Sequence, residues 1–326
     1  MSEASAAAIG LLHMIYPYAG TQQYVTGTLA YIEQARSSGA AVLIAAPAER
    51  HDALRARLAA DDAVSFLDTT ALGRNPGRLV PAWQNWIAQY DDGRVVHGVN
   101  DVTFPSRGDA DSSDARYAEW LLNLAFAKAP AWSLLCPVDT SAHPAAAIDA
   151  LTRCHPLVWD GAARQPVADY LTGPYAADDL PEPPASAERL TYRLGDLPTV
   201  RAAVARFAQL NGLPVRRTRE LTLAVSEVAT NSIRYGGGGG TMLLWTQDNA
   251  LVCELRDDGV ITDPLVGQLR PSPTRLGGRG LWFVNQFCDL VQLRSAPGRG
   301  TRVRLWIDPP SDPDRTAREV AAGLGR

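Results

Sequence analysis

Apolar and polar positions along the chain fall into two rhythms. In the first half, short apolar runs alternate with segments of helical period. Residues 24–37 read as a helix. AAVLIAAP, residues 40–47, is an apolar run of the kind a parallel strand shows when both its faces are buried. AERHDALRARLAA reads as a helix, AVSFLDTT as a strand, residues 80–90 as a helix and VVHGVND as a strand. ARYAEWLLNLAFAKA is strongly amphipathic; WSLLCPVD is a further strand and AAIDALTRC a further helix. This βαβ rhythm predicts an α/β domain with a mostly parallel sheet between helices.

GPYAADDLPEPPASAERL, residues 173–190, breaks the rhythm. It is rich in proline, alanine and acid, has no period, and reads as an extended, exposed linker. Beyond it come a short strand at 191–194, helices over 200–211 and 215–235, and strands TMLLWTQ and ALVCELRDD. A Gly/Pro-rich stretch, a helix GLWFVNQFC and strands LVQLRSA and TRVRLWID complete it. The order predicts an α+β sandwich, helices on one face of a mixed sheet. The expected boundaries are a first domain over 1–172, a linker over 173–189, a second domain over 190–310 and a tail over 311–326.

Composition narrows the partners. With 326 residues, 46% of them hydrophobic, the chain can fill two cores. A net charge of −4 argues against non-specific nucleic-acid binding, which requires basic surface. Cys136, Cys154, Cys253 and Cys288 form no CxxC pair and no zinc spacing with histidine, so reduced, buried thiols are expected. The first twenty residues lack a basic stretch followed by a long apolar core, and no apolar run is long enough to span a bilayer. A cytoplasmic protein without membrane contact is the expectation.

Candidate chemistry concentrates in the second half. In LTLAVSEVATNSIRYGGGGG, Glu227 and Asn231 lie four apart on one helix face. Asn231 offers a carbonyl oxygen to Mg²⁺, and Glu227, one turn away, can orient or deprotonate a nucleophile. In LRDDGVITDP, Asp257 can accept from an exocyclic amine such as that of adenine, and Gly259 lets the backbone approach the base. In LGGRGLWFVNQFCD, Gly277, Gly278 and Gly280 leave backbone N–H groups to face phosphate at a helix start; Arg279 adds a cation there or is simply solvated. In PGRGTRVRL, Thr301 can support hydrogen bonds on the adenine side.

These four pieces, in this order, resemble the N, G1, G2 and G3 boxes of the Bergerat-fold (GHKL) ATPases, and more closely the anti-sigma serine kinases of the RsbW and SpoIIAB type. The resemblance covers about residues 190–308. It implies an ATP–Mg²⁺ site with Asn231 as metal ligand, Glu227 as general base, Asp257 on adenine and Gly278 and Gly280 on the phosphates. Residues 261–277 would form the lid. Two features depart from the pattern. Ile261 stands where the G1 box usually has a second glycine, and the run 236–240 is longer than a turn needs.

The first half has its own likeness. HMIYPYAG, ALGRNPGRLVPAWQNWI, EWLLNLAF, WSLLCPVD and CHPLVWDG resemble the MEDS sensory domain, a RecA/KaiC-like α/β unit that lacks its catalytic loop, over about residues 10–165. No GxxxxGK[ST] loop is present, so no second ATP site is expected. Candidate ligand residues here are His13, Tyr16, His97, Asp101, Glu119, Cys136 and His155. The ordinary reading of most of them is core or surface of an α/β domain, and Trp83, Trp86 and Trp120 read as core. His51-Asp52 resembles a histidine-kinase phosphoacceptor site only faintly, since that helix should directly precede the ATPase domain.

MEDS joined to an RsbW-like domain is the architecture of RsbA-family transcription regulators. It implies an anti-sigma factor and serine kinase, with a sigma factor and a small STAS-domain antagonist as partners and a homodimer as assembly. Two readings compete with it: a module that binds ATP and sequesters a partner without turnover, and an atypical histidine kinase phosphorylated on His51.

Overall fold

The computed structural model describes residues 10–58, 63–72, 75–90, 94–101, 109–129, 131–271 and 278–309. Its contacts divide the chain into two compact units, Met1–Gly73 with Ala82–Asp178, and Arg74–Pro81 with Asp179–Arg326.

The first unit runs β1 (Leu11–Tyr18), α1 (Gly20–Ser37), β2 (Ala41–Ala46), α2 (Ala48–Arg55), β3 (Val64–Asp68), α3 (Leu79–Ile87), β4 (Val96–Asn100), α4 (Asp109–Ala125), β5 (Trp132–Asp139), α5 (Ala145–Thr152), β6 (Leu157–Trp159) and β7 (Arg164–Pro166). The sheet order is β3-β2-β4-β5-β1-β6-β7, parallel throughout except for the antiparallel β6–β7 edge. The α/β expectation holds. The interior strand β1 was not anticipated: LLHMIYPY carries a histidine, a proline and two tyrosines and does not alternate. It need not, because strands on both sides bury both faces, and His13, Met14, Ile15 and Tyr16 are all sealed. Only Ala19 separates β1 from α1, so the turn where a phosphate loop would sit has no length for one. Tyr24, Tyr31, Ile32 and Ala35 of α1 pack on Val42, Ile44, Val99 and Leu135 of the sheet.

The same burial governs His97 on β4. It is 8% exposed, and burial first, then the Arg164 charge, hold its pKa down at about 4. An exposed imidazole titrates near ~6.5. Below that pH the unfolded chain binds a proton that the folded chain refuses. The stability His97 contributes is therefore complete at neutral pH and is lost as pH falls from about 6.5 towards 4. Urea unfolding at pH 7 and pH 5 should show His97→Leu losing up to about 2 kcal/mol less than the wild type.

The second unit runs β8 (Glu188–Arg193), α6 (Leu197–Leu210), α7 (Val215–Tyr235), β9 (Gly239–Gln247), β10 (Ala250–Asp257), α8 (Gly280–Phe287), β11 (Leu290–Ala296) and β12 (Gly300–Ile307). The sheet order is β11-β12-β10-β9-β8, and every neighbouring pair is antiparallel. The expected mixed sheet is thus corrected. β9 and β10 close on Asp248-Asn249, both with positive φ, the two-residue turn that suits strand twist. Strand alternation gives the sheet two faces. Leu244, Cys253 and Leu305 meet Val200 and Val204 of α6 and Leu221, Val225 and Val228 of α7. The opposite face carries Leu243, Trp245, Val252 and Trp306, with Glu254 among Arg256, Arg302 and Arg304.

The acidic half of the expected linker lies on that second face. Leu180 is buried, Glu182 pairs with Arg256 and Arg302 at 2.8 and 2.9 Å, and Asp179 pairs with Arg299 at 2.8 Å. Residues 179–182 are therefore part of the C-terminal unit, where composition alone reads as free chain. All four cysteines are buried free thiols, as expected. Among the described residues no helix is long and apolar enough to cross a membrane.

Candidate functional site

The site is built on α7, whose stripe of Leu221, Ala224, Val225, Val228 and Ala229 is driven into the core. Anchoring that face leaves Glu227 and Asn231 half-buried at the stripe's edge, on successive turns. Ser232, next in sequence, points inward and donates to Asp257 Oδ2 at 2.6 Å. Asp257 ends β10, and its other oxygen accepts from the Gly259 N–H at 2.9 Å. Gly236 lies so close that a Cβ there would overlap the Asp257 carboxyl. The glycine run is therefore not spare length. It brings the end of α7 against the aspartate, and Gly239 and Gly240 already belong to β9.

A directed chain of hydrogen bonds fixes the turn after Asp257. A carbonyl can only accept, so Thr301 Oγ1 donates to Gly259 O at 2.8 Å. Ser295 Oγ then donates to Thr301 Oγ1 at 2.7 Å and accepts from the Ile261 N–H at 2.8 Å. Thr301 faces Asp257 across β12 and β10, and Ser295 faces Thr301 across β11 and β12. Ile261 takes this anchor with an ordinary negative φ, so the turn closes without a glycine there.

The helix α8 faces α7. At Gly280, its first residue, a Cβ would stand 2.6 Å from Glu227 Oε2, so a larger residue there would displace the Glu227 carboxylate. Gly278 and Arg279 precede it, and no side chain among the described residues caps the helix start. Gly277 and residues 272–276 of the expected lid lie outside the described residues. In the described part of that segment, Gly267 O accepts from Asn285 Nδ2 of α8 at 3.0 Å.

The donor set suits a nucleotide. Asp257 keeps unused lone pairs beside a rigid hydroxyl chain, Asn231 presents an amide oxygen, and a glycine-entered helix start lies against a carboxylate. Those are an acceptor for an amino-bearing base, a hard oxygen for Mg²⁺ and a cradle for phosphate. The structure thus brings Glu227, Asn231, Asp257, Gly259, Gly278, Arg279, Gly280 and Thr301 into one unit.

Sequence reasoning missed four contributors. Ser232 and Ser295 could have been found from their places beside Asn231 and opposite Thr301. Asn75 and Arg78 could not, because they lie more than 200 residues from their partners. Asn75 Nδ2 donates to the Asn285 carbonyl at 2.9 Å. Arg78 donates to three carbonyls at the end of α8: Asn285 and Gln286 at 2.9 and 3.0 Å, and Cys288 at 2.8 Å. A guanidinium there satisfies orphan carbonyls and meets the negative end of the helix. Arg78→Ala should lower stability by at least about 2 kcal/mol in urea unfolding, with Arg78→Lys recovering only a small part.

The first unit distributes its candidates differently. Tyr16 donates to Gln23 O, His97 packs on Tyr31, and Asp101 lies by Arg50. His13, Glu119, Cys136 and His155 converge at one point. Trp83 and Trp86 are core, as expected, whereas Trp120 is only half-buried and stacks on Tyr117. His51 is 5% exposed, with its ring edge against Phe66, which gives the phosphoacceptor reading no support.

Residues 12–156 match MEDS, the methanogen/methylotroph, DcmR sensory domain, and residues 190–307 match the histidine kinase-like ATPase domain. The anti-sigma F factor of Clostridium acetobutylicum is 28% identical over 112 residues, 32% of this chain and 78% of that protein. Those of Thermoanaerobacter sp. (strain X514) and Caldanaerobacter subterraneus subsp. tengcongensis are each 30% identical over 114 residues, 32% of this chain and 80% of theirs. The chain therefore joins a MEDS sensory domain to a histidine kinase-like ATPase domain, and through that second domain it belongs to the anti-sigma F factor family.

Proposed function

We propose that the chain is an ATP-dependent anti-sigma factor that also phosphorylates a serine or threonine on a small STAS-domain antagonist. The observation that carries this reading is the placement of Glu227 against the start of α8, one turn from Asn231. Bound ATP supplies the phosphoryl group that is transferred. Asp257 accepts from the adenine amine while Ser232 and Gly259 hold its carboxylate in place. Asn231 would hold Mg²⁺ through its amide oxygen. The N–H groups at the start of α8, with Gly278 and Gly280, seat the phosphates, and Arg279 adds positive charge beside them. Glu227 takes the proton of the incoming hydroxyl, which makes that oxygen the nucleophile.

The burial of His51 and the short α2 that carries it favour transfer to a partner over transfer to the chain's own histidine. A sigma factor is then held in one nucleotide state, and the STAS antagonist is phosphorylated in another. The test is to incubate the full chain with Mg²⁺ and γ-labelled ATP and a panel of STAS proteins. The expected result is an acid-stable label on a STAS serine or threonine. An acid-labile label on this chain, or ATP binding with no transfer to any partner, would replace the reading with an atypical histidine kinase or a nucleotide-gated binder.

A further inference from the structure

Four side chains distant in sequence meet inside the N-terminal unit: His13 from β1, Glu119 from α4, Cys136 from β5 and His155 from the turn before β6. All are buried, and one ligand atom from each lies within 4.8 Å of the other three. His13 Nε2 is 3.1 Å from Cys136 Sγ and 3.3 Å from Glu119 Oε2. Cys136 Sγ and His155 Nε2 are 3.5 and 3.6 Å from the same carboxylate oxygen.

The surroundings fix which ring nitrogens face inward. His155 Nδ1 lies 2.9 Å from the Leu151 carbonyl, which can only accept, so Nδ1 carries the proton. Asn123 donates through its nitrogen to Cys154 O at 2.8 Å, which turns its oxygen to His13 Nδ1 at 3.1 Å. His13 Nδ1 is therefore protonated as well. In the neutral rings both Nε2 atoms present lone pairs to Glu119 Oε2, itself an acceptor. The Cys136 thiol has one proton to offer among them. His155 Nε2, on a fully buried side chain, has no hydrogen-bond partner. Buried lone pairs that outnumber the protons available to them are best satisfied by a shared cation.

We propose that His13, Glu119, Cys136 and His155 bind a divalent transition-metal ion of the zinc class. Tetrahedral bonds of about 2.0–2.3 Å place ligand atoms about 3.3–3.7 Å apart, close to the spacings found here. Imidazole and thiolate select zinc or cobalt over Mg²⁺ and Ca²⁺. On binding, the Cys136 thiol forms the sulfur–metal bond and releases its proton to solvent. One thiolate and one carboxylate then balance the dipositive ion, which suits a buried site. A second layer orients the ligands. Asn100 donates to Glu119 Oε1 at 3.0 Å and is itself held by Trp83 Nε1 at 3.2 Å, and Asn123 and the Leu151 carbonyl orient the two histidines. The positions 13, 119, 136 and 155 form no local motif; each is a candidate ligand residue in the sequence, and the fold brings these four together.

The test uses the untagged full chain, stripped with a chelator and then given Zn²⁺ or Co²⁺. The expected result is one ion per chain that survives desalting. The Co²⁺ form should show intense visible bands of four-coordinate cobalt and a near-ultraviolet thiolate-to-cobalt band. Cys136→Ser should abolish the near-ultraviolet band and weaken retention. Failure of the wild-type chain to take up stoichiometric Zn²⁺ or Co²⁺ would overturn the proposal without reliance on any variant. A cobalt spectrum unchanged in a folded Cys136→Ser chain, checked by circular dichroism, would overturn it too.

Discussion

Glu227→Ala should lower phosphoryl transfer to a STAS partner by about 10²–10⁴-fold while leaving ATP affinity within a few-fold of wild type. The carboxylate lies where α7 meets the first residue of α8, beside the proposed phosphate cradle. Its removal takes away a proton acceptor and no nucleotide contact that the geometry assigns. Asn231→Ala should behave differently, because the proposed metal ligand is lost and binding falls together with transfer. Rapid-quench transfer kinetics with a parallel nucleotide titration separate the two. Equal losses of binding in both variants would show that Glu227 serves the nucleotide rather than the incoming hydroxyl.

Glu254→Ala should destabilise the C-terminal unit by about 3–5 kcal/mol, the cost of leaving a buried charge without its partner. Glu254 is fully buried in mid-β10. Arg304, 3% exposed, donates to it through Nε at 2.7 Å and lies over the Trp245 ring at 5.1 Å. Arg302 donates to the other oxygen at 3.1 Å, and Arg256 pairs there too. With the carboxylate gone, three guanidinium groups converge on an apolar methyl, and Arg304 cannot reach water. Arg256→Ala should cost no more than about 1 kcal/mol, since that side chain is 28% exposed and keeps access to solvent. Urea unfolding of both variants measures the contrast. A loss below about 1 kcal/mol in Glu254→Ala would mean the arginines find other partners on this face.

Much of this was legible in the sequence, for physical reasons. The helix over 215–235 and the strands WSLLCPVD and LVQLRSA fall where periodicity puts them. Asp257, Gly259, Gly280 and Thr301 were legible because each lies at an element's end, where a special residue stands out against its pattern. β1 was obscured because His13, Tyr16, Pro17 and Tyr18 interrupt the continuous apolar run by which a strand buried on both faces is otherwise detected. Residues 179–182 looked like linker because composition cannot show that Arg302 and Arg256 on a sheet face, and Arg299 in the turn beside it, pair with their acids. The hook of Asn75 and Arg78 and the cluster of His13, Glu119, Cys136 and His155 are products of long-range packing. No window of sequence contains them.

The most direct test of the central claim is equilibrium titration of the full chain with ATP and with GTP in the presence of Mg²⁺, repeated with Asp257→Asn. The account predicts saturable, one-to-one ATP binding, much weaker GTP binding, and a loss of at least about tenfold in ATP affinity in Asp257→Asn, because the amide replaces an acceptor for the adenine amine. Indifference to the base, or ATP affinity unchanged in the variant, would contradict a site built around Asp257.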